Sequence, residues 1–128
     1  MISIDTNILV RLLTGDDKGQ AEKAKHLFAS ELIYITKTVM LETEWVLRYA
    51  YGFKAGEIAG AFTKLLGQQN VVVEDVQHIA QATRLLQKGM DFADALHLAC
   101  SQNYVFATFD KKLTTRAVNA GLDSVQLL

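Results

Sequence analysis

The sequence predicts an α/β fold: a parallel sheet with helices covering its faces. Short apolar runs punctuate the chain, namely the residues before Asp5, Leu32–Ile35, Val71–Val73, Tyr104–Ala107 and Val125–Leu127. They are rich in β-branched and aromatic residues and too short for helices. The stretches between them carry apolar residues at helical spacing. Strictly alternating strand and helix signals are the pattern of parallel crossovers. The chain has 128 residues, which suits a single domain spanning 1–128.

Each element has its own local reason. Met1-Ile2-Ser3-Ile4 reads as a first buried strand running into the acidic turn at Asp5. The turn opens a helix through Ile8, Leu9, Val10, Leu12 and Leu13, which Gly15-Asp16-Asp17 breaks. Gln20 to Ser30 follows as helix, with Ala21, Ala24, Leu27 and Phe28 on one face. After the strand Leu32–Ile35, Thr36 to Thr38 is polar and suited to capping a helix from about Val39 to Tyr49. Lys54 to Leu66 carries Ile58, Ala61, Phe62 and Leu65 and reads as the next helix. Val71–Val73 is the third strand. Glu74 and Asp75 place negative charge at the start of a helix ending near Lys88, as the helix dipole favours. Gly89 stops it, and Asp91 to Gln102 forms another helix. Tyr104–Ala107 is the fourth strand, Asp110 opens a last helix to about Asn119, and Val125–Leu127 is a fifth strand. No proline occurs, so no helix has an obvious proline kink.

Bulk composition removes several classes of function. Half of the residues are hydrophobic and 21% are charged, ordinary for a globular protein. The net charge of −1 gives no chain-wide basic field for a polyanion, which would have to be held by a local patch or by metal ions. One cysteine, Cys100, cannot form an internal disulfide, so a reducing cytoplasm is expected. No apolar run approaches the roughly 20 residues that span a bilayer, and the N-terminus lacks the pattern of a secretory signal.

The chemistry lies in the acids. Asp5 follows the first strand and Asp110 the fourth, where open α/β sheets hold ligands. Glu42 shares a helical stripe with Val39, Val46 and Tyr49, whereas Glu44 projects about 200° away and is expected to be exposed. Asp91 and Asp94 are three apart, neighbours on one helical face. Singly, each has a bland explanation: Asp5, Asp91 and Asp110 suit N-caps, Asp94 at the third helical position resembles a capping-box partner of Asp91, and Glu42 could sit at the edge of its stripe or pair with Arg48 or Arg11. Jointly, they suggest converging carboxylates. One like-charged pair about 4 Å apart costs on the order of 4 kcal/mol at an effective dielectric of 20, which a divalent cation would remove. Hard oxygen ligands without a cysteine cluster favour Mg²⁺ or Mn²⁺ over zinc. Among the remaining residues, Cys100 is expected to be a buried small hydrophobe. Trp45 is expected in a core or a dimer interface, as are Tyr49, Tyr51 and Phe53.

Four segments, taken in order, resemble the PIN domain. They are Ser3-Ile4-Asp5-Thr6-Asn7-Ile8-Leu9, Thr38-Val39-Met40-Leu41-Glu42-Thr43-Glu44-Trp45-Val46-Leu47-Arg48, Asp91-Phe92-Ala93-Asp94-Ala95-Leu96 and Ala107-Thr108-Phe109-Asp110. The nearest likeness is to VapC-type toxins of prokaryotic toxin–antitoxin pairs. The resemblance implies a three-layer fold with a parallel five-stranded sheet in the order 3-2-1-4-5. It implies a Mg²⁺- or Mn²⁺-dependent endoribonuclease that hydrolyses RNA with metal-activated water. Asp5, Glu42 and Asp94 match the family's core acids, Asp110 the more variable fourth, and Asp91 an acid found in some members. Thr6, Asn7 and Thr108 match supporting polar positions. Arg11, Lys37, Lys111, Lys112 and Arg116 lie near the acidic motifs and are candidates to grip the RNA backbone. The resemblance also implies a homodimer and a cognate antitoxin. Three other readings compete: a phosphoacceptor signalling module, a haloacid-dehalogenase-like phosphatase, and a metal-free adaptor whose acids merely cap helices. The first lacks adjacent acids at the first strand and leaves Glu42 without a role; the second lacks its second aspartate after Asp5-Thr6-Asn7.

Overall fold

The computed structural model describes residues 1–128, and the chain divides into two compact units, Met1–Val76 and Gln77–Leu128. In order, the first carries β1 (Ile2–Ser3), α1 (Thr6–Thr14), α2 (Lys18–Ser30), β2 (Ile33–Ile35), α3 (Lys37–Tyr49), α4 (Ala55–Leu66) and β3 (Val71–Val73). The second is built from α5 (Val76–Gln87), α6 (Phe92–Ala99), β4 (Phe106–Thr108), α7 (Lys111–Asn119) and β5 (Val125–Leu127).

In the first unit the strands form a parallel sheet in the order β1-β2-β3, with Ile2 opposite Ile33, and Ile33 and Ile35 opposite Val71 and Val73. Parallel neighbours need long crossovers, and each crossover here is a pair of helices, α1 with α2 and then α3 with α4. Ile4, Leu9, Val10, Ile33, Ile35, Met40, Leu47, Ile58 and Phe62 are almost wholly buried. In the second unit β4 pairs in parallel with β5, Phe106 opposite Val125 and Thr108 opposite Leu127, and α7 is the crossover. Ile79, Phe92, Leu96, Leu98 and Leu113 are buried there. The expected strands all form, and the orders 3-2-1 and 4-5 are found within two separate sheets. The fold is thus mixed α/β with parallel pairing throughout, the class that alternating strand and helix signals predict.

Element ends follow from capping. Asp5, Asp17, Thr36, Asp91 and Asp110 each accept a hydrogen bond from a first-turn amide of α1, α2, α3, α6 and α7 respectively. Gly15 closes α1 with φ of 70°, a left-handed conformation, and a Cβ there would meet nothing within 4 Å. Gly15→Ala therefore tests backbone strain without steric overlap: a loss of about 1 kcal/mol is expected, read from the denaturant midpoint.

Glu74 and Asp75 directly precede Val76, the first residue of α5, as their place in the sequence suggests. They also serve the start of α3: Glu74 Oε1 accepts from the Lys37 amide at 2.8 Å, and Asp75 Oδ2 accepts from Lys37 Nζ at 2.6 Å. Three other expectations need correction. Helix α6 ends at Ala99 rather than Gln102, because the chain turns away through Ser101 N–H to Leu98 and Tyr104 N–H to Ser101. Cys100 is consequently exposed rather than buried. Strand β4 starts at Phe106, leaving Tyr104 and Val105 outside it and exposed, and it gains Thr108, whose carbonyl accepts from the Leu128 amide at 2.9 Å.

Candidate functional site

In the first unit the relevant side chains are Asp5, Thr6, Asn7 and Glu42. β1 ends just before Asp5, and α1 begins just after it. Asp5 Oδ1 accepts from the Ile8 amide at 3.0 Å, which fixes the carboxyl group at the helix start. Thr6 is buried, and its hydroxyl donates to Glu42 Oε1, tying α1 to α3. Asn7 is exposed.

Helix α3 does not present the face that spacing suggested. Its buried stripe is Met40, Thr43, Glu44 and Leu47, while Glu42 and Tyr49 are exposed. Glu44, expected to face solvent, is 1% exposed. It is neutralised one turn on by Arg48, whose Nη2 donates to Oε1 at 2.9 Å and whose Nε stands 2.9 Å from Oε2. A partly buried guanidinium, with one hydrogen bond and a second close ionic contact, makes the burial of this acid tolerable. Glu42 is thereby left on the open side, held by Thr6. Trp45 is 57% exposed, which excludes a core role for it within this chain.

The second unit places Asp94 within the electrostatic reach of Asp91 and Asp110. Asp91 Oδ2 accepts from the Asp94 amide at 3.1 Å, and Asp110 Oδ1 from the Leu113 amide at 3.1 Å, so both cap helices. The Thr108 hydroxyl accepts from the Asp110 amide at 3.0 Å, steadying the turn between β4 and α7. Asp94 carries no hydrogen bond on its carboxylate. Burial pushes the Asp94 carboxyl above its ordinary value, the neighbouring Asp91 and Asp110 charges push it the same way, and His97 and Arg116 pull it back.

The five candidate cations differ in freedom. Arg11 is engaged: Nε donates to Gln20 at 2.8 Å, Nη1 donates to the Tyr51 hydroxyl at 2.9 Å, and Asp16 stands 3.6 Å away. Lys37 is paired with Asp75. Lys111, Lys112 and Arg116 are exposed and in no ion pair, and Arg116 lies close enough to favour the ionised form of Asp94.

Within neither unit do three or more His, Cys, Asp or Glu side chains form a ready-made ion cage. The donor set nevertheless suits a hard divalent cation. All the acids offer carboxylate oxygens, Asp94 has both of its oxygens free of hydrogen bonds, and positive charge near Asp94 is what its neighbours' repulsion calls for.

A model of the PIN domain matches residues 2–119, so the chain belongs to the PIN domain family. This is a nuclease-type fold, and its members are generally metal-dependent hydrolases of nucleic acid. No curated protein and no solved structure matches the chain. No helix is long and apolar enough to cross a membrane.

Proposed function

We propose that the chain is a Mg²⁺- or Mn²⁺-dependent endoribonuclease, the toxin of a VapC-type toxin–antitoxin pair. On this reading residues 1–128 act as one PIN domain, and Asp5, Glu42, Asp94, Asp91 and Asp110 serve one reaction. The family match supports this, because it runs through both units. The observation that carries the metal dependence is Asp94: a half-buried carboxylate, unbonded, in the field of two others. Helix capping explains Asp5, Asp91 and Asp110, as a metal-free adaptor would require, but it explains neither Asp94 nor Glu42.

When bound, a divalent cation lowers the pKa of its water and neutralises phosphate charge. The chain's own part is placement. Asp5, Asp91 and Asp110 are held at helix starts, Thr6 orients Glu42, and Lys111, Lys112 and Arg116 offer charge to a phosphate backbone.

Partners are supported by surface chemistry. The exposed Trp45 and Tyr49 rings lie 5.1 Å apart, and the Arg48 guanidinium sits 5.0 Å from the Tyr49 ring, an aromatic patch of the kind that homodimers cover. A groove of about 660 Å³ lined by Leu12, Leu13, Phe28, Ala61 and Leu65 could receive an apolar segment of an antitoxin. A single, exposed cysteine is compatible with the cytoplasm.

The test is incubation with end-labelled RNA in Mg²⁺, Mn²⁺ or EDTA, with Asp5→Asn in parallel. Fragments that need the metal and vanish in the variant are expected. Cleavage that survives both EDTA and Asp5→Asn would refute the assignment, and a stable phosphoryl group on Asp5 would favour a signalling module.

A further inference from the structure

We propose that a pocket between α1 and α2, opening beside Asp5, binds the nucleobase of one nucleotide flanking the cleaved bond, and that it prefers guanine. The proposal rests on the nuclease reading and adds to it a specificity subsite. The pocket measures about 390 Å³, within the usual range for small-ligand sites, and Asp5 and Asn7 form part of its lining. Ile8, Ala24 and Leu27 supply an apolar wall, while Arg11, Gln20 and Lys23 supply a polar rim. An apolar wall suits the flat face of a base and does not suit a phosphate, which would lose its hydration against it.

The rim is biased toward donors. Arg11 Nε occupies Gln20 Oε1 at 2.8 Å, so the open end of the Gln20 amide is its NH₂ group. Arg11 itself is immobilised by Tyr51, whose hydroxyl in turn donates to Asp16 at 2.8 Å, so the Gln20 orientation is set before any ligand arrives. Lys23 makes no ion pair, and it lies three residues from Gln20 on α2, hence on the same face. Two donors on one face of α2, both lining the pocket, suit the adjacent O6 and N7 acceptors of guanine, the edge that lysine and arginine read most often. Adenine presents an amino donor at one of those positions and cytosine presents another. Such edges are accessible only in an unpaired base, so the substrate is single-stranded or looped RNA.

The first experiment needs neither metal nor catalysis. Side-chain amide resonances of Gln20 and Asn7 are followed by NMR while 5′-GMP, AMP, CMP, UMP or ribose 5-phosphate is added. Saturable shifts at Gln20 with GMP, at least about tenfold tighter than with the other four, are expected. Equal shifts with all five, or with ribose 5-phosphate alone, would overturn the proposal in favour of a phosphate contact.

The second experiment maps cleavage ends on random-sequence RNA. The wild type is expected to favour guanine at one fixed position beside the cut. Gln20→Glu keeps the Arg11 contact but turns the free donor into an acceptor, so the preference should move about tenfold from guanine toward cytosine. Lys23→Ala should flatten it. Cleavage without base preference and without GMP-specific shifts sinks the pocket and leaves the nuclease standing. GMP-specific shifts with no cleavage of any RNA do the reverse.

Discussion

Replacing Asp94 by asparagine is expected to stabilise the metal-free protein and to silence it. The carboxyl of Asp94 is held above its ordinary value by burial and by Asp91 and Asp110. A raised folded-state pKa means that the folded chain binds this proton more tightly than the unfolded chain does. The penalty of the charge is therefore complete above the raised value and fades as pH falls through it. In EDTA near pH 7, Asp94→Asn should raise the melting temperature by roughly 2–5 °C, and the gain should disappear in acid. Divalent metal should raise the melting temperature of the wild type and have little effect on the variant. Metal-dependent cleavage should fall about a thousandfold, the equivalent of roughly 4 kcal/mol of lost stabilisation. A variant both less stable in EDTA and fully active would mean that Asp94 is an ordinary helix residue.

The largest loss of stability is expected at Arg48. Its guanidinium pairs with the Glu44 carboxylate, which is 1% exposed, and Arg48→Ala takes that positive charge away from a carboxylate in the core of the first unit. Breaking a buried pair from one side costs about 3 kcal/mol or more. The double change Glu44→Leu with Arg48→Ala should recover most of it, because it removes the buried carboxylate as well. Urea unfolding of the three variants measures the coupling directly. If Arg48→Ala alone costs under about 0.5 kcal/mol, the pair is a surface ornament of the fold.

Much of this fold is legible in the sequence because local rules agree with one another. Val71–Val73 and Val125–Leu127 were read to the residue, and Gly15, Gly89 and Gly121 mark helix ends through their left-handed φ angles. Asp5, Asp91 and Asp110 were legible as N-caps for the same reason: the cap depends on a handful of adjacent residues. Helix α3 was harder. Two stripes compete on it, one through Val39 and Val46 and the other through Met40, Thr43 and Leu47, and each contains one glutamate. The second stripe wins because Glu44 and Arg48 are four apart and can neutralise each other. That spacing was available in the sequence and would have reversed the assignment of Glu42 and Glu44. The Thr6 bond to Glu42 was not available, since it joins residues 36 apart through tertiary packing. Lys37 with Asp75, separated by 38 positions, was hidden for the same reason.

Capping by Asp5, Asp91 and Asp110 has a consequence for any cation that the acids receive. One oxygen of each carboxylate already answers a backbone amide, so these side chains have lost their rotational freedom by the time the helices have formed. Capture of the ion then freezes little more, and the entropic toll that flexible glutamates would exact is largely absent. Lengthening any of the three to glutamate would preserve its charge, forfeit that rigidity and unwind the turn it fastens.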